Sequence, residues 1–442
     1  MQGIDVGIFE NLGTFDGYDL AEVTDIDLDG HLDLILVSPA LPEIFLFFGD
    51  GSGEFNMQLS IPKPEQSYSV LAGDFNEDGR PDIVCCNGTA GTVSLFRSNS
   101  FGTGYLPAIN YATGSKPVRA YADDLDEDGH LDLVVVDEID STVGLLRGTG
   151  SGTLEPPQTS FIEVDDSLDS LTISDLDLDG HKDLIIPCPL MDLVAVLIGV
   201  GDGTFQPVQV YSVEHNPGPL SVADHDGDGH PDVIVPNRDS DSLSWLRGDG
   251  TGALAPAEQV ASVNFPTETY SYQSAPGLGN CVAVPETFLN RVKILGNIGP
   301  NQTPEVGLIH PVFPPKHVLS GDFNEDGFED LVAITELFSL YEVFLQVPLT
   351  GDFFLRGDVN GDGSLMLSDA IEVLSIVLET GEEECADRAD VNDDGRLDIA
   401  DPIHFFGWLY AGGASLALPQ VECGPDPTAD DLVDCAAICD TP

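Results

Sequence analysis

Short apolar runs alternate along the chain with loops rich in aspartate and glycine. In one representative stretch, residues 68–72 lead into an acidic loop and residues 82–86 leave it. Residues 92–96 then precede a glycine-rich turn and a last short apolar segment. Runs of this length, bounded by turn residues, indicate β-strands. The pattern therefore predicts four strands in each stretch of about 49 residues.

Six acidic loops share one form, in which Asp, Asp or Asn, and Asp alternate before a glycine and a ninth-position Asp. They begin at Asp25, Asp74, Asp124, Asp175, Asp224 and Asp322. The steps between them are 49, 50, 51, 49 and 98 residues, and the last equals two steps. A further unit without the motif is therefore expected near residues 265–300, with strands at 281–284 and 291–295.

Four strands repeated seven times predict an all-β, seven-bladed propeller of four-stranded blades over residues 1–350. Residues 6–12 lie where the repeat places the fourth strand of a blade, but no earlier blade precedes them in this sequence. We expect them to add the outer strand to the last blade and close the ring. A frayed N-terminus is the alternative.

Each acidic loop carries the hard oxygen ligands that calcium prefers. Side chains at positions 1, 3 and 5 converge, glycine at position 6 permits the turn, position 7 offers its carbonyl, and position 9 closes the shell. Metal-free Asx turns are the less favoured alternative, because clustered carboxylates repel one another. The predicted ligands are Asp25, Asp27, Asp29, His31 and Asp33; Asp74, Asn76, Asp78, Arg80 and Asp82; Asp124, Asp126, Asp128, His130 and Asp132; Asp175, Asp177, Asp179, His181 and Asp183; Asp224, Asp226, Asp228, His230 and Asp232; and Asp322, Asn324, Asp326, Phe328 and Asp330. The position-7 imidazoles are expected on the turn surface rather than as zinc ligands.

A second, smaller module follows a linker at residues 351–355. Two 12-residue loops, 32 residues apart, show EF-hand-like ligand spacing. Their predicted ligands are Asp358, Asn360, Asp362, Ser364 and Asp369, and then Asp390, Asn392, Asp394, Arg396 and Asp401. Apolar stripes at helical spacing follow each loop, so residues 356–413 are predicted to be a small α-helical domain. Residues 414–442 form a tail rich in Cys, Asp and Pro.

The two modules resemble two known families. The acidic loops resemble the FG-GAP/VCBS repeats of integrin α-chain head domains, which implies a calcium-stabilised propeller that binds proteins or glycans without catalysis. The duplicated loop and helix resemble a type I dockerin, which implies calcium-dependent docking onto a cohesin. The residues at positions 10 and 11, Leu367-Ser368 and Ile399-Ala400, differ from the usual cellulosomal pairs, so a structural cap without a cohesin is the alternative. About eight calcium ions are expected, six in the propeller and two in the dockerin-like domain.

The cysteines fall into two groups. Cys85, Cys86, Cys188 and Cys281 lie in or just past predicted strands, where buried thiols are expected. The four near the C-terminus suggest disulfides, with Cys423–Cys435 and Cys385–Cys439 preferred and a zinc site as the alternative. Calcium sites of this type suit an extracellular or cell-surface protein, because calcium is plentiful there. Residues 1–5 show no signal-peptide features, so we expect that a signal peptide has been lost from the sequence.

The formal charge of −62, from 77 acidic and 15 basic residues, argues against a nucleic-acid partner and an anionic membrane surface. Of the carboxylates, 22 lie in the propeller loops and 6 in the dockerin-like loops. Eight calcium ions would bring the net charge to about −46. The remaining acidic surface disfavours acidic glycans as ligands. The sequence contains no 18-residue apolar run, so it predicts no transmembrane helix.

We therefore expect a monomeric, non-enzymatic platform that binds an extracellular protein or glycan. A polysaccharide lyase or hydrolase on the same fold is one alternative, although the sequence has no Gly-x-Ser-x-Gly or His-Glu-x-x-His motif. Three other histidines, His215, His310 and His317, are expected to be isolated in loops. A lectin is the other alternative. Its sugar-stacking candidates are Tyr105, Tyr111, Tyr270, Tyr272 and Trp245, which are also candidates for the core.

Overall fold

The fold was analysed in a computed structural model. The structure describes residues 2–3 and 20–345, apart from short gaps at 38, 40, 53–54, 65, 100–103, 164–166, 274–279, 297, 299–304, 310, 312–313, 324, 326–328 and 336–340. The chain divides into two units, Met1–Val347 and Pro348–Pro442. The dockerin-like loops, the C-terminal cysteines and residues 6–12 lie outside the described residues.

The first unit is all-β. Its described residues form seven four-stranded antiparallel sheets, consistent with propeller blades, in which strands consecutive in sequence are neighbours. The strands of sheets 1 to 4 are Leu20–Thr24, Asp33–Val37, Glu43–Gly49 and Phe55–Pro62; Ser67–Gly73, Asp82–Asn87, Thr92–Phe96 and Ile109–Ala112; Pro117–Asp123, Asp132–Asp137, Thr142–Leu146 and Gln158–Glu163; and Thr172–Ser174, Asp183–Cys188, Leu193–Leu197 and Gln209–Ser212. Sheets 5 and 6 contain Ser221–Ala223, Asp232–Asn237, Ser242–Leu246 and Glu258–Ser262, and then Tyr270–Gln273, Asn280–Glu286, Arg291–Gly296 and Glu305–Ile309.

Sheet 7 joins the two ends of this unit. It contains Pro315–Gly321, Asp330–Thr335 and Tyr341–Leu345, and its outer strand is Gln2–Gly3. Gln2 pairs with Leu345 and Gly3 with Phe344. The helices of the described residues are three short 3₁₀ turns, Gly88–Ala90, Arg238–Ser240 and Thr287–Leu289. None of the described helices is long and apolar enough to cross a membrane.

The hydrophobic core is divided among seven clusters, each shared by two neighbouring sheets. Side chains alternate between the two faces of a strand. Leu34 and Leu36 of sheet 1 therefore pack against Val332 and Ile334 of sheet 7. Residues between and beside them, such as Ile35, face sheet 2 instead. Because both faces are covered, the second strand of each sheet is an almost continuous apolar run.

The strands predicted from residues 68–96, 281–284 and 291–295 are confirmed. Cys85, Cys86, Cys188 and Cys281 are buried thiols. The aromatic candidates for sugar stacking pack into the cores. Trp245 and Tyr272 are buried, and Tyr105, Tyr111 and Tyr270 are partly buried against the apolar clusters.

Candidate metal centres

Each acidic loop joins the first strand of a sheet to the second. The ninth-position Asp is the first residue of that second strand in every loop, as at Asp33, Asp132 and Asp330. Glycine at position 6 has a positive φ, for example 90° at Gly129, which glycine adopts without steric cost. Position 4 is also left-handed, with φ of 56° at Glu127, a feature that the sequence motif did not reveal.

Backbone amides hold the carboxylates of each loop in place. In the third loop the Gly129 N–H donates to Asp124 Oδ2 at 2.9 Å, and the His130 N–H donates to Asp128 Oδ1 at 2.9 Å. The first, second, fourth and fifth loops repeat both contacts. The side chains at positions 1 and 5 therefore have their direction set by the turn itself.

The ninth-position Asp connects three parts of its sheet. Asp132 is fully buried, and its Oδ2 accepts the Leu125 N–H at 3.1 Å while its Oδ1 accepts the Gly148 N–H at 2.8 Å. The loop, the second strand and the turn after the third strand are thus joined through one carboxyl group. Burial raises the pKa of this Asp to about 6 in the first four loops and raises the pKa of Asp232 in the fifth.

Three carboxylates converge in four of the loops, where their oxygens lie within 4.8 Å of one another. These groups are Asp25, Asp27 and Asp29; Asp124, Asp126 and Asp132; Asp175, Asp177 and Asp183; and Asp224, Asp226 and Asp232. Buried carboxylate oxygens without a hydrogen-bond partner occur at Asp25 and Asp126. A buried acceptor of this kind is costly unless something coordinates it. The donor set therefore fits a hard divalent cation.

The acidic loops of the second and seventh repeats differ from these four. In the second, the Asn76 amide donates to both oxygens of Asp82, at 3.1 and 3.2 Å, so position 3 again faces position 9. In the seventh, Asp322 and Asp330 are described, and the Phe323 N–H donates to Asp330 Oδ2 at 3.0 Å. Asn324, Asp326 and Phe328 of that loop lie outside the described residues.

Position-3 carboxylates also meet arginines that follow the third strand. Arg147 lies 2.7 Å from Asp126, and it donates to the Asp202 carbonyl in the next sheet at 2.7 Å. Arg247 lies 2.6 Å from Asp226. These arginines offset part of the carboxylate charge, and the ligand motif gave no indication of them. Their recurrence at one position of the repeat is the signal that was available.

Three of the four position-7 imidazoles pair with the neighbouring repeat. His130, His181 and His31 contact the position-4 carboxylates Glu77, Glu127 and Glu325 through Nδ1. The last of these pairs joins sheet 1 to sheet 7. In the first two pairs the histidine lies one repeat after the glutamate, which is the sequence signal for these contacts, whereas His31 precedes Glu325 by 294 residues.

Of the three histidines that were expected to be isolated in loops, His215 and His317 are described, and His310 lies outside the described residues. His215 pairs with Asp192 at 2.8 Å and is exposed. The expectation that His317 is isolated in a loop was wrong. It lies in the strand Pro315–Gly321, largely buried, and its Nδ1 contacts Glu268 at 2.8 Å. Glu268 lies 49 residues earlier, one repeat length, and the packing of neighbouring sheets brings the two side chains together.

Comparisons with known proteins agree with this architecture. A family model described as an FG-GAP-like repeat matches residues 25–85, 74–135 and 124–186. Each match begins at the first Asp of an acidic loop, so the chain contains three FG-GAP-like repeats. A search of curated proteins found no match.

Solved structures with similar folds are distant in sequence. BBS1N, solved in complex with ARL6DN, is 12% identical with a TM-score of 0.56, covering 79% of this chain and 99% of that one. A protein from Lactobacillus plantarum is 15% identical with a TM-score of 0.51, covering 67% and 86%. A virginiamycin B lyase from Staphylococcus aureus is 11% identical with a TM-score of 0.50, covering 78% and 99%. At these identities the likeness concerns the fold alone.

Proposed function

We propose that this protein is a secreted or cell-surface binding protein built on a calcium-stabilised, seven-bladed propeller, and that it is not an enzyme. The observation that carries the proposal is the repeated convergence of carboxylates at one junction, with buried oxygens left unpartnered at Asp25 and Asp126. The seven sheets and the seven cores between neighbours support the blade count.

Calcium would have a structural role in this protein. In the third loop, Asp124, Asp126, Asp128 and Asp132 would hold the ion, together with the His130 carbonyl. The ion would supply positive charge to a cluster whose carboxylates otherwise repel one another. It would thereby fix the turn between the first and second strands. That turn also supports the next sheet, because the Gly203 N–H donates to the Leu125 carbonyl at 3.0 Å.

Binding is favoured over catalysis by what the titratable groups contact. The described acidic loops use their carboxylates to accept backbone amides and to face one another. Three of the four position-7 histidines, and His317, are paired with carboxylates. The dockerin-like module would attach the protein through a cohesin-like partner, or cap the chain without one. The location follows from calcium availability outside cells.

Calcium titration of the chelated full-length protein tests the proposal. Calorimetry should count about eight sites, six in the propeller and two in the dockerin-like module, and chelation should lower the melting temperature. A melting temperature unchanged by chelation would refute the calcium role. Glycan and protein arrays then test the platform. Turnover of a polysaccharide by the calcium-loaded protein would overturn the non-enzymatic assignment.

A further inference from the structure

A cavity of about 420 Å³ lies among the first strands of sheets 1 to 4. Its walls include Glu22, Ser69, Arg119, Tyr121 and Thr172. First strands of neighbouring sheets lie side by side in this unit, so the cavity is on the side of the sheets where the first strands gather. None of the acidic-loop ligands lines it.

Arg119 is a cation without an ion pair among the described residues. Its side-chain partner there is the Tyr121 hydroxyl. Two carboxylates, those of Glu268 and Asp169, interact with the Arg119 charge through space, but each already has another partner. Glu268 accepts the Val318 N–H at 2.8 Å and contacts His317, while Asp169 contacts Arg238 at 3.1 Å. Arg119 is thus a half-buried guanidinium with no carboxylate partner in the part of the chain that the structure describes.

Tyr121 adds a second donor beside this cation. Its hydroxyl oxygen accepts the Leu171 N–H at 3.0 Å and faces the Arg119 guanidinium, which can only donate. Burial raises the pKa of Tyr121, so the hydroxyl keeps its proton. That proton has no acceptor among the described residues. Arg119 and Tyr121 therefore offer a charged and a neutral donor side by side.

Glu22 brings a different chemistry to the same cavity. It has no hydrogen-bond partner among the described residues, and burial raises its pKa to about 7. A ligand group that donates hydrogen bonds, such as a hydroxyl or an ammonium, would satisfy it. A second carboxylate at that end would be repelled by the ionised form.

We infer that this cavity binds a small carboxylate ligand, with the carboxylate held by Arg119 and Tyr121 and a hydroxyl or ammonium group directed to Glu22. Arginine recognises carboxylates through paired, charge-assisted hydrogen bonds. The acidic exterior repels polyanions over a screening length of about 10 Å. A single small acid experiences this repulsion far less than an acidic polymer does. The inference rests on the proposed function, because it names the ligand class of a binding protein.

Ligand-observed NMR titration of the full-length, calcium-loaded protein provides the test. The probes are D-galacturonate and L-alanine, which represent sugar acids and amino acids, with D-galactose and L-alaninamide as their counterparts without a carboxylate. We expect at least one acid to bind, and to bind about tenfold or more tightly than its counterpart. Equal affinity of acid and counterpart, or no binding by either acid at millimolar concentration, would overturn the inference without the use of any variant.

Variants then locate the site. Arg119→Gln should weaken binding of the acid by about tenfold or more, and Tyr121→Phe should weaken it to a smaller extent. Lys116→Gln is the matched control. It removes one positive charge from the same region, but Lys116 pairs with Glu138 and does not line the cavity. Wild-type affinity in Arg119→Gln would refute the site.

Melting curves of all the variants in calcium show whether each one is folded. If Arg119→Gln does not fold, Arg119→Lys keeps the charge, and loss of binding in that variant tests the paired geometry. If chelation leaves the melting temperature unchanged but the acid still binds, only the calcium role is refuted. If chelation lowers the melting temperature but neither acid binds, only the carboxylate site is refuted.

Discussion

Asp132 and Asp137 begin and end the same strand, and they allow the calcium contribution to be separated from hydrogen bonding. Both are buried, and each accepts two backbone N–H groups. Asp137 accepts those of Lys116 at 2.7 Å and Asp140 at 2.8 Å. Only Asp132 faces an acidic loop. Asp132→Asn and Asp137→Asn are therefore matched changes that differ in the proposed metal ligand.

The cost of the lost hydrogen bond and the contribution of calcium to stability can be estimated separately. In either variant the amide nitrogen meets one backbone N–H that loses its acceptor, which costs about 1 to 3 kcal/mol. Calcium at roughly 2 mM, with a dissociation constant of about 0.1 to 1 mM as in extracellular modules, adds about 0.6 to 1.8 kcal/mol per site. Only Asp132→Asn should lose this second term. For a unit of roughly 350 residues, 1 kcal/mol corresponds to about 1 to 2 °C in melting temperature.

Differential scanning fluorimetry of the wild type and both variants, with EDTA and with calcium, measures these terms. In EDTA the Asp132→Asn variant should melt no lower than Asp137→Asn, because the change also removes a negative charge from a loop whose carboxylates repel one another. In calcium, Asp132→Asn should gain about 1 to 3 °C less than Asp137→Asn does. An identical gain in the two variants would refute the assignment of Asp132 as a calcium ligand.

Three further predictions follow from the same contacts. Glu127→Gln should lower the free energy of unfolding by less than about 1 kcal/mol at low salt, because its pair with His181 is open to solvent. At high salt the variant should be as stable as the wild type, and a loss of stability that persists in salt would contradict this. Without calcium, stability should rise as the pH falls from about 7.5 towards 5, because the raised pKa of the ninth-position Asp residues makes the folded state bind protons before the unfolded state does. Urea unfolding across that range tests the sign, and a rise of stability with pH would overturn it. Tyr111→Phe and Tyr211→Phe should each cost about 1 to 3 kcal/mol with or without calcium. Each hydroxyl accepts one N–H, from Leu154 at 3.0 Å or Leu254 at 3.1 Å, so dependence of either loss on calcium would contradict the reasoning.

The strands and the acidic loops could be predicted from the sequence because their signals are local. Apolar runs of strand length and a nine-residue ligand pattern each lie within one repeat. The start of the second strand at Asp33, Asp82 and Asp132 follows from the same pattern. The left-handed residue at position 4 was not predicted, because Leu28 and Glu127 have no intrinsic preference for that conformation.

Contacts between repeats could not be predicted in the same way. His181 and Glu127 are 54 residues apart, and Glu268 and His317 are 49 apart. These pairs form only because consecutive sheets are neighbours in space. The cavity with Arg119 requires side chains from four separate first strands. The strand that completes sheet 7 is set by the pairing of Gln2 with Leu345, which the repeat period alone does not determine.

The core between sheets 1 and 7 has a consequence for how the protein is made. Leu34 and Leu36 are synthesised early, whereas their partners Val332 and Ile334 are synthesised about 300 residues later. At typical elongation rates of roughly 5 to 20 residues per second, the apolar face of sheet 1 waits about 15 to 60 seconds for its cover. Of the seven sheets, the first to be synthesised is therefore the last to be enclosed. A nascent chain that stalls before residue 332 leaves that face open to other chains.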